Sequence, residues 1–294
     1  MQQPATRRRL RAVRAACATA ARDKLDSPRW RWLLGAIGSV GVTVRHRQPC
    51  FVYWRQGAWI HRFHDTTIPH PTCAEPAPYE QFTAEAQDTF LHEYTPREGD
   101  VVFDVGAGVG TATILFSRLV GPTGRVIALE AHPATYGWLD RLCHLNALTN
   151  VIPIQVAAAE RAGELAITDL DEHVSNTVLA DGSGVKVPAR ALDDIAEALG
   201  IDRVDLVKMN IEGAEQIAIK GMGNLIRRTR HVCISCHDFL ADDGGPESMR
   251  TKSVVHDFLV ANGFELTTRG DAPDPWTRDY LYGTNPRMDG PATS

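Results

Sequence analysis

The stretch Asp104-Val105-Gly106-Ala107-Gly108-Val109-Gly110-Thr111 follows a short apolar run at 101–105 and precedes a predicted helix over 111–120. Its three glycines let the backbone turn sharply between strand and helix and approach a ligand closely. Such a loop is typical of nucleoside-cofactor sites, although NAD-binding folds use a similar one. We therefore expect a cofactor to contact the loop residues Gly106, Ala107, Gly108, Gly110 and Thr111.

Two acidic residues narrow the choice of cofactor. Asp104 ends the predicted strand, where its carboxylate accepts hydrogen bonds from loop amides or lies close to a cofactor ammonium group. A dinucleotide site instead needs the helix N-terminus free for a pyrophosphate. Glu130 ends the next predicted strand, 20 residues after Gly110, where a carboxylate accepts both ribose hydroxyls, and Ala131 follows it. Glu130 and Ala131 are thus predicted nucleoside contacts, and Asp104 favours S-adenosylmethionine.

The chain after residue 79 alternates between strand patterns and helix patterns. Such alternation implies a parallel sheet with helices on both faces. The predicted fold is α/β, a doubly wound, mostly parallel seven-stranded sheet with an N-terminal extension. Its strands are predicted at 101–105, 125–130, 151–156, 204–209, 231–235, 264–268 and 280–282, with short additional strands at 163–168 and 185–189. Its helices are predicted at 82–94, 111–120, 133–146, 191–199, 216–226 and 247–262.

The N-terminal extension is predicted to cover residues 1–78, and the catalytic domain residues 79–294. Residues 1–26 are basic and predict a surface helix or a loose arm. Residues 50–68 predict a small hairpin, because two aromatic-rich runs flank Arg55-Gln56-Gly57. Four prolines predict a linker between the hairpin and the domain: Pro69, Pro71, Pro76 and Pro78.

The charge of the chain is unevenly distributed. The whole chain has a net charge of −5, which argues against general nucleic-acid binding. Residues 1–31 hold nine Arg or Lys against two Asp, a net of +7, so the remainder carries −12. This pattern predicts either peripheral membrane contact through residues 1–26 or a solvated extension.

The sequence shows no export or membrane-spanning pattern. Residues 1–26 lack the continuous apolar region of a signal peptide, and the apolar run at 33–44 is too short to span a bilayer. The six cysteines are scattered, unlike those of a secreted disulfide scaffold. We therefore expect a cytoplasmic protein, membrane-peripheral at most, with the oligomeric state left open.

The stretch Lys208-Met209-Asn210-Ile211-Glu212-Gly213-Ala214-Glu215 follows the fourth predicted strand of the sheet. Together with the glycine loop, Glu130 and Leu192-Asp193, it resembles the FkbM-type methyltransferase family over roughly residues 80–285. The resemblance implies a Rossmann-like methyltransferase fold, S-adenosylmethionine as cofactor, and usually O-methylation of a sugar or natural-product hydroxyl. The acceptor is then a small molecule or a glycolipid.

Asn210 is a departure from the family, which commonly has Asp at this position. An Asn still accepts a hydrogen bond, but it lacks the negative charge and cannot act as a base. Ligands of such sheets bind beyond the carboxyl ends of the strands. Asn210 and Glu212 are therefore predicted cofactor contacts, with helix capping as the alternative for Glu212.

The predicted fifth strand ends at Cys233-Ile234-Ser235-Cys236-His237-Asp238. A haem-attachment motif is rejected, because strand positions 233 and 236 point to opposite faces and no export signal is present. His237 is instead the predicted base for a hydroxyl proton. Asp238 is expected to orient His237 or to help hold a divalent metal such as Mg²⁺, and Asn210 to shape the catalytic site.

The sequence leaves two other functions open. An NAD-dependent oxidoreductase uses a related sheet, although the chain lacks the Tyr-x-x-x-Lys pattern of the short-chain type. A non-catalytic cofactor-binding module would explain Asn210 in place of Asp.

Overall fold

The computed structural model describes residues 26–73, 77–169, 177–179 and 182–288. They fall into two compact units, divided between Gln81 and Phe82. The arm predicted over residues 1–26 lies outside the described residues except for Asp26, and the domain boundary at 78/79 stays a prediction. In the described part of the chain, no helix has both the length and the apolar character needed to cross a bilayer.

The N-terminal unit packs one helix against a three-stranded antiparallel sheet. Helix α1 (Arg31–His46) precedes strands β1 (Phe51–Arg55), β2 (Ala58–Arg62) and β3 (Thr67–His70), which lie in the order β1-β2-β3. Gln56 and Gly57, which join β1 to β2, both have positive φ, as a two-residue type I′ turn requires. The linker predicted at Pro69 is wrong, because Pro69 lies in β3 at the sheet edge, where a missing N–H is tolerated.

Helix α1 was not predicted from the sequence. Its glycines and β-branched residues are poor helix formers, so propensity alone gives no signal. Packing supplies the reason for the helix: a Cβ on Gly35 would lie 2.7 Å from the Val52 carbonyl oxygen, and one on Gly38 would lie 2.9 Å from that of Cys73. The two glycines therefore allow the helix backbone to approach its neighbours closely, which outweighs their low propensity.

The C-terminal unit contains the seven-stranded sheet that the sequence predicted. Its strand order is β12-β13-β11-β10-β4-β5-β6, and only the pairings of β13 are antiparallel. These strands are β4 (Val101–Val105), β5 (Arg125–Glu130), β6 (Val151–Gln155), β10 (Val204–Met209), β11 (Thr229–Ser235), β12 (Glu265–Thr268) and β13 (Tyr280–Thr284). A separate small sheet contains β7 (Ala157–Ala158), β8 (Gly163–Ile167) and β9 (Val185–Arg190).

The helices predicted at 111–120, 133–146 and 191–199 are confirmed to within one residue at each end, whereas the helix predicted at 82–94 lies at Tyr79–Asp88. The helices are α2 (Tyr79–Asp88), α3 (Thr111–Val120), α4 (Pro133–Leu145), α5 (Leu192–Ala198), α6 (Glu215–Ala218), α7 (Asp238–Asp242), α8 (Lys252–Ala261) and α9 (Pro275–Arg278). The helix predicted over 216–226 is wrong in length, because α6 gives way to a 3-10 turn at Ile219–Gly221. A Cβ on Gly221 would lie 1.9 Å from the Ala159 carbonyl oxygen, so close backbone contact occurs here.

The core of the C-terminal unit forms around the central strand β10. Every residue of β10 is buried, as expected for a parallel strand that is covered on both faces. Phe103, Ile127, Val207 and Ile234 from four adjacent strands belong to the same apolar cluster. Asp205 and Lys208 are the charged residues in this strand, and each has a charged or backbone partner.

We predict that the glycine loop is sensitive to substitution at Gly106 and tolerant at Gly108. Both have positive φ, but a Cβ on Gly106 would lie 2.0 Å from the Asn210 carbonyl oxygen, whereas one on Gly108 would meet nothing within 4 Å. Gly108→Ala should lower the free energy of unfolding by about 1 kcal/mol, from backbone conformation alone. Gly106→Ala should lower the free energy of unfolding by about 2 kcal/mol more, because the backbone of Gly106 or of Asn210 must shift. Urea unfolding measures both, and equal losses would contradict the close approach.

Candidate active site

A cavity of about 270 Å³ lies beyond the carboxyl ends of β4, β5 and β10. Eight of the ten predicted cofactor contacts line it: Gly106, Ala107, Gly108, Thr111, Glu130, Ala131, Asn210 and Glu212. The other two, Asp104 and Gly110, do not line it. Topology brings the eight together, because neighbouring parallel strands end at the same edge of the sheet.

Asp104 is buried and ion-paired. Its Oδ1 lies 2.8 Å from Lys208 Nζ, and its Oδ2 accepts a hydrogen bond of 2.7 Å from Thr113 Oγ1. The expectation that loop amides bind Asp104 is corrected: the amides of Gly106 and Ala107 instead donate to the Leu129 carbonyl oxygen. Asp104 does not line the cavity, whereas its partner Lys208 does.

Lys208 lines the cavity, although its role could not be assigned from the sequence. Its Nζ donates to Asp104 Oδ1 at 2.8 Å and to the Gly106 carbonyl oxygen at 2.7 Å. It also lies 5.0 Å from the ring centroid of Phe90. The available signal was a lysine between Val207 and Met209 in a buried strand, a position that requires a charged partner. Lys208 thereby ties the glycine loop to β10 and adds a cation to the cavity lining.

Glu130 is held by two backbone amides. Its Oε2 accepts from Gly108 N and its Oε1 from His132 N, each at 2.9 Å. Burial raises the pKa of Glu130, and the two amide hydrogen bonds oppose this rise. Each carboxylate oxygen keeps a further lone pair for a hydroxyl donor. The observed geometry is therefore compatible with the predicted binding of ribose hydroxyls.

Asn210 supplies an acceptor that no described residue satisfies. Its Oδ1 is buried and has no hydrogen-bond partner among the described residues. Its backbone N donates to the Val105 carbonyl oxygen at 3.0 Å, which fixes the residue between β10 and β4. A buried unpaired acceptor is costly, so one that lines a cavity indicates a donor on a bound ligand. Together with Glu130 and an apolar wall that contains Val156, Ile167 and Val178, it makes this cavity fit S-adenosylmethionine.

A second cavity, of about 400 Å³, shares Asn210 and Glu212 with the first. Its other lining residues are mainly aromatic, hydroxyl-bearing or apolar: Thr177, Ser235, His237, Phe239, Leu240, Met249, Trp276 and Tyr280. The shared residues mark the place where the two cavities meet. A ligand in either cavity then reaches the side chains of Asn210 and Glu212.

His237 lies between two glutamates in this second cavity. Its Nε2 is 3.4 Å from Glu212 Oε2, and its Nδ1 is 3.1 Å from Glu215 Oε1 in an ion pair that is not aligned as a hydrogen bond. Burial alone would lower the pKa of His237, but the contacts and charges of Glu212 and Glu215 outweigh burial and raise the pKa to about 10. The two carboxylates thus favour the imidazolium form of His237, which opposes the expectation of a neutral base.

Asp238 binds backbone amides at the start of a helix. Its Oδ1 accepts from the backbone amides of Thr251 and Lys252, at 2.9 and 3.0 Å, where helix α8 begins. This corrects the expectation that Asp238 orients His237, a task that falls to Glu212 and Glu215. Among the described residues, no group of three or more His, Cys, Asp or Glu side chains is arranged to hold a metal ion, so the expected Mg²⁺ has no candidate site there.

Glu215 organises the loop that carries Glu212. It is fully buried, and its Oε1 accepts from the amides of Ile211 and Gly213, at 3.2 and 3.4 Å. Its Oε2 accepts from Thr251 Oγ1 at 3.0 Å. Glu212, inside this loop, has a φ of 51°, a left-handed conformation that is uncommon for a residue other than glycine. The buried carboxylate thus holds Glu212 at the junction of the two cavities.

Comparisons with known proteins bear on this site. A family model described as the methyltransferase FkbM domain matches residues 104–266, just over half of the chain. The hexuronic acid methyltransferase AglP of Haloferax volcanii is 26% identical over 144 residues, which cover 48% of this chain and 57% of the relative. The methyltransferase sdnD of Sordaria araneosa is 28% identical over 155 residues, which cover 41% of this chain and 60% of the relative. The chain thus spans less than two thirds of either relative.

The FkbM methyltransferase of Methylobacillus flagellatus KT aligns with a TM-score of 0.49 at 16% identity, and covers 70% of this chain and 50% of that chain. The family match over 104–266 runs from the glycine-loop strand to β12 and includes Glu130, Asn210, Glu212 and His237. The resemblance that the sequence predicted is confirmed.

We predict that His237 makes stability depend on pH. Because its pKa is raised from 6.5 to about 10 in the folded chain, its stabilising effect is fully present below pH 6.5 and is lost as pH rises towards 10. The difference in unfolding free energy between the wild type and His237→Gln should therefore shrink over this range. Urea unfolding at several pH values measures it, with the exposed His144→Gln as control. A ring of His237 that titrates near pH 6.5 in NMR spectra of the folded protein would contradict the ion pairs.

Proposed function

The chain belongs to the methyltransferase FkbM domain family, and we propose that it transfers a methyl group from S-adenosylmethionine to a hydroxyl oxygen of a sugar, a glycolipid or another natural product. The observation that carries this proposal is that Asn210 and Glu212 line both cavities. A methyl donor in the first cavity and an acceptor in the second would meet at these side chains. The name of the Haloferax relative, a hexuronic acid methyltransferase, supports a sugar acceptor.

The residues of the first cavity suit the cofactor. When bound, S-adenosylmethionine supplies an electrophilic methyl group on a positively charged sulfur. Glu130 would accept hydrogen bonds from the ribose hydroxyls, and the unpartnered Asn210 Oδ1 would accept one from the ammonium group. Lys208 uses two of its three N–H donors on Asp104 and Gly106, and the third would bind the carboxylate of the methionine part.

The second cavity suits a sugar or a similar polyol. Trp276 and Tyr280 offer aromatic faces for the C–H side of a ring, and Thr177 and Ser235 offer hydroxyl groups. Charged groups lie at the end of the cavity that adjoins the cofactor, where Glu212 and His237 form an ion pair. Positioning of the acceptor hydroxyl against the methyl donor is the main contribution that such a site makes to an in-line displacement.

Glu212 is the group that we propose accepts the hydroxyl proton. His237 already carries its proton at neutral pH and so has no lone pair to offer. The Glu212 carboxylate lines both cavities, and its side chain is 23% exposed. When the acceptor oxygen bonds to the methyl carbon, the carbon–sulfur bond of the donor would break and S-adenosylhomocysteine would leave. The proton of the acceptor hydroxyl would pass to Glu212 and then to water. His237 is a positioning residue that holds this carboxylate in place.

The strand order supports methyl transfer over the NAD-dependent alternative. Dinucleotide-binding sheets of this type run 3-2-1-4-5-6 in classic order. Here the antiparallel strand β13 lies between β11 and β12. A non-catalytic module remains the second candidate, because Asn210 replaces the expected acid at the junction of the two cavities. The two candidates differ in whether any acceptor is methylated.

Cofactor binding is the first test. In isothermal titration we expect S-adenosylhomocysteine to bind with micromolar affinity and NAD to give no heat of binding. Glu130→Gln should weaken the binding of S-adenosylhomocysteine by about tenfold or more, because a hydrogen bond to a charged group contributes roughly 1.5–3 kcal/mol. Glu164→Gln, at an exposed position in β8, is the matched control. Binding of NAD alone would overturn the proposal.

Turnover is the second test. With labelled S-adenosylmethionine and a panel of hydroxylated sugars that includes hexuronic acids, Glu212→Gln should lower kcat by about 100-fold or more while S-adenosylhomocysteine still binds. Glu160→Gln, an exposed glutamate outside both cavities, should leave kcat unchanged. Unchanged kcat in Glu212→Gln would remove its role as proton acceptor. Cofactor binding by the wild type without methylation of any acceptor would favour the non-catalytic module.

A further inference from the structure

The N-terminal unit contains an arginine-rich segment. Residues 27–64 contain six arginines and no Asp or Glu, although the whole chain has a net charge of −5. Five of these arginines are exposed, namely Arg29, Arg45, Arg47, Arg55 and Arg62. Arg29 precedes helix α1, and Arg45 and Arg47 lie at its end. Positive charge therefore flanks the helix at both ends.

Helix α1 also exposes an apolar face. Leu34, Gly38 and Val42 are buried at a spacing of four residues, which is the face that packs on the sheet. Ile37, Val40 and Val44 lie on the opposite side of the helix at spacings of three and four, and all three are exposed. We name this stripe of Ile37, Val40 and Val44 the outer face of α1.

Aromatic residues extend this outer face. Trp32 and Phe51 are both exposed, and both border one surface depression together with Ala36. The apolar patch thus continues from the helix onto strand β1. A contiguous exposed patch of this kind, with a charged rim, marks an interaction surface.

We propose that the N-terminal unit binds the surface of an anionic lipid bilayer through the outer face of α1. Apolar side chains would enter the boundary between headgroups and acyl chains, tryptophan suits that boundary, and the flanking arginines would bind lipid phosphates. A helix of 16 residues is about 24 Å long, shorter than the ~30 Å hydrocarbon core, so it lies on the bilayer. The inference does not depend on methyl transfer.

The charges near α1 favour a bilayer over a second copy of the unit or a nucleic acid as the partner of its outer face. A second copy of the unit, docked through the same face, would bring Arg29, Arg45 and Arg47 against the same arginines of that copy. A nucleic acid would pair with the arginines but leave the outer face of α1 in water. An anionic bilayer satisfies both features at once.

Vesicle co-sedimentation of the full chain tests the proposal, with phosphatidylcholine vesicles that contain about 30% phosphatidylglycerol and with pure phosphatidylcholine. We expect binding to the anionic vesicles, and a drop of about tenfold in Val40→Ser/Val44→Ser. These valines are 65% and 71% exposed, so the fold should tolerate the change. The matched control is Val254→Ser/Val260→Ser, two valines of α8 that are 44% and 51% exposed, which should bind as the wild type does.

Brominated lipids locate the contact. They should quench tryptophan fluorescence of the bound wild type, and Trp32→Phe should lose part of that quenching. Arg45→Gln/Arg47→Gln should bind about tenfold more weakly at low salt. No binding by the wild type, equal loss in the two valine pairs, or binding with no quenching that depends on Trp32 would each overturn the proposal.

Discussion

The ion pair between Asp104 and Lys208 is the interaction on which the site depends. It joins β4 to β10 at the centre of the sheet, and both side chains are buried. A buried carboxylate or ammonium without its partner is strongly destabilising, so neither residue is tolerated alone. Lys208 also binds the Gly106 carbonyl oxygen, which ties the start of the glycine loop to the end of β10. Gly106 also lies so close to the Asn210 carbonyl oxygen that a side chain has no room there.

A second buried network sets the chemistry. Glu215 uses one oxygen on the loop amides of Ile211 and Gly213, and the same oxygen pairs with His237. His237 in turn pairs with Glu212, the residue in left-handed conformation at the junction of the cavities. Because the imidazole lies between two carboxylates, its charged form is favoured, and the more exposed carboxylate is the proton acceptor of the proposed methyl transfer. In this proposal, the environment of the residues and not their type decides which of them accepts the proton.

The two units present different surfaces. The C-terminal unit gathers the polar groups of its candidate site in cavities at the carboxyl edge of the sheet. The N-terminal unit instead carries exposed apolar residues on α1 and arginines around them. The net charge of the whole chain does not reveal this difference. It is negative, although residues 27–64 contain arginines and no Asp or Glu.

The sequence by itself determined the alternation of strands and helices, the glycine loop and Glu130, because these are local patterns of period, turn and spacing. Asn210 and Glu212 were also found this way, since both follow a buried strand. Tertiary structure decided the partners. Asp104 and Lys208 are 104 residues apart, and no spacing in the sequence indicates that they pair. The pattern likewise made His237 a base and Asp238 its partner, whereas packing put Glu212 and Glu215 on His237 and gave Asp238 to the start of α8. Helix α1 was missed for the same reason: close packing outweighs the low helix propensity of its glycines.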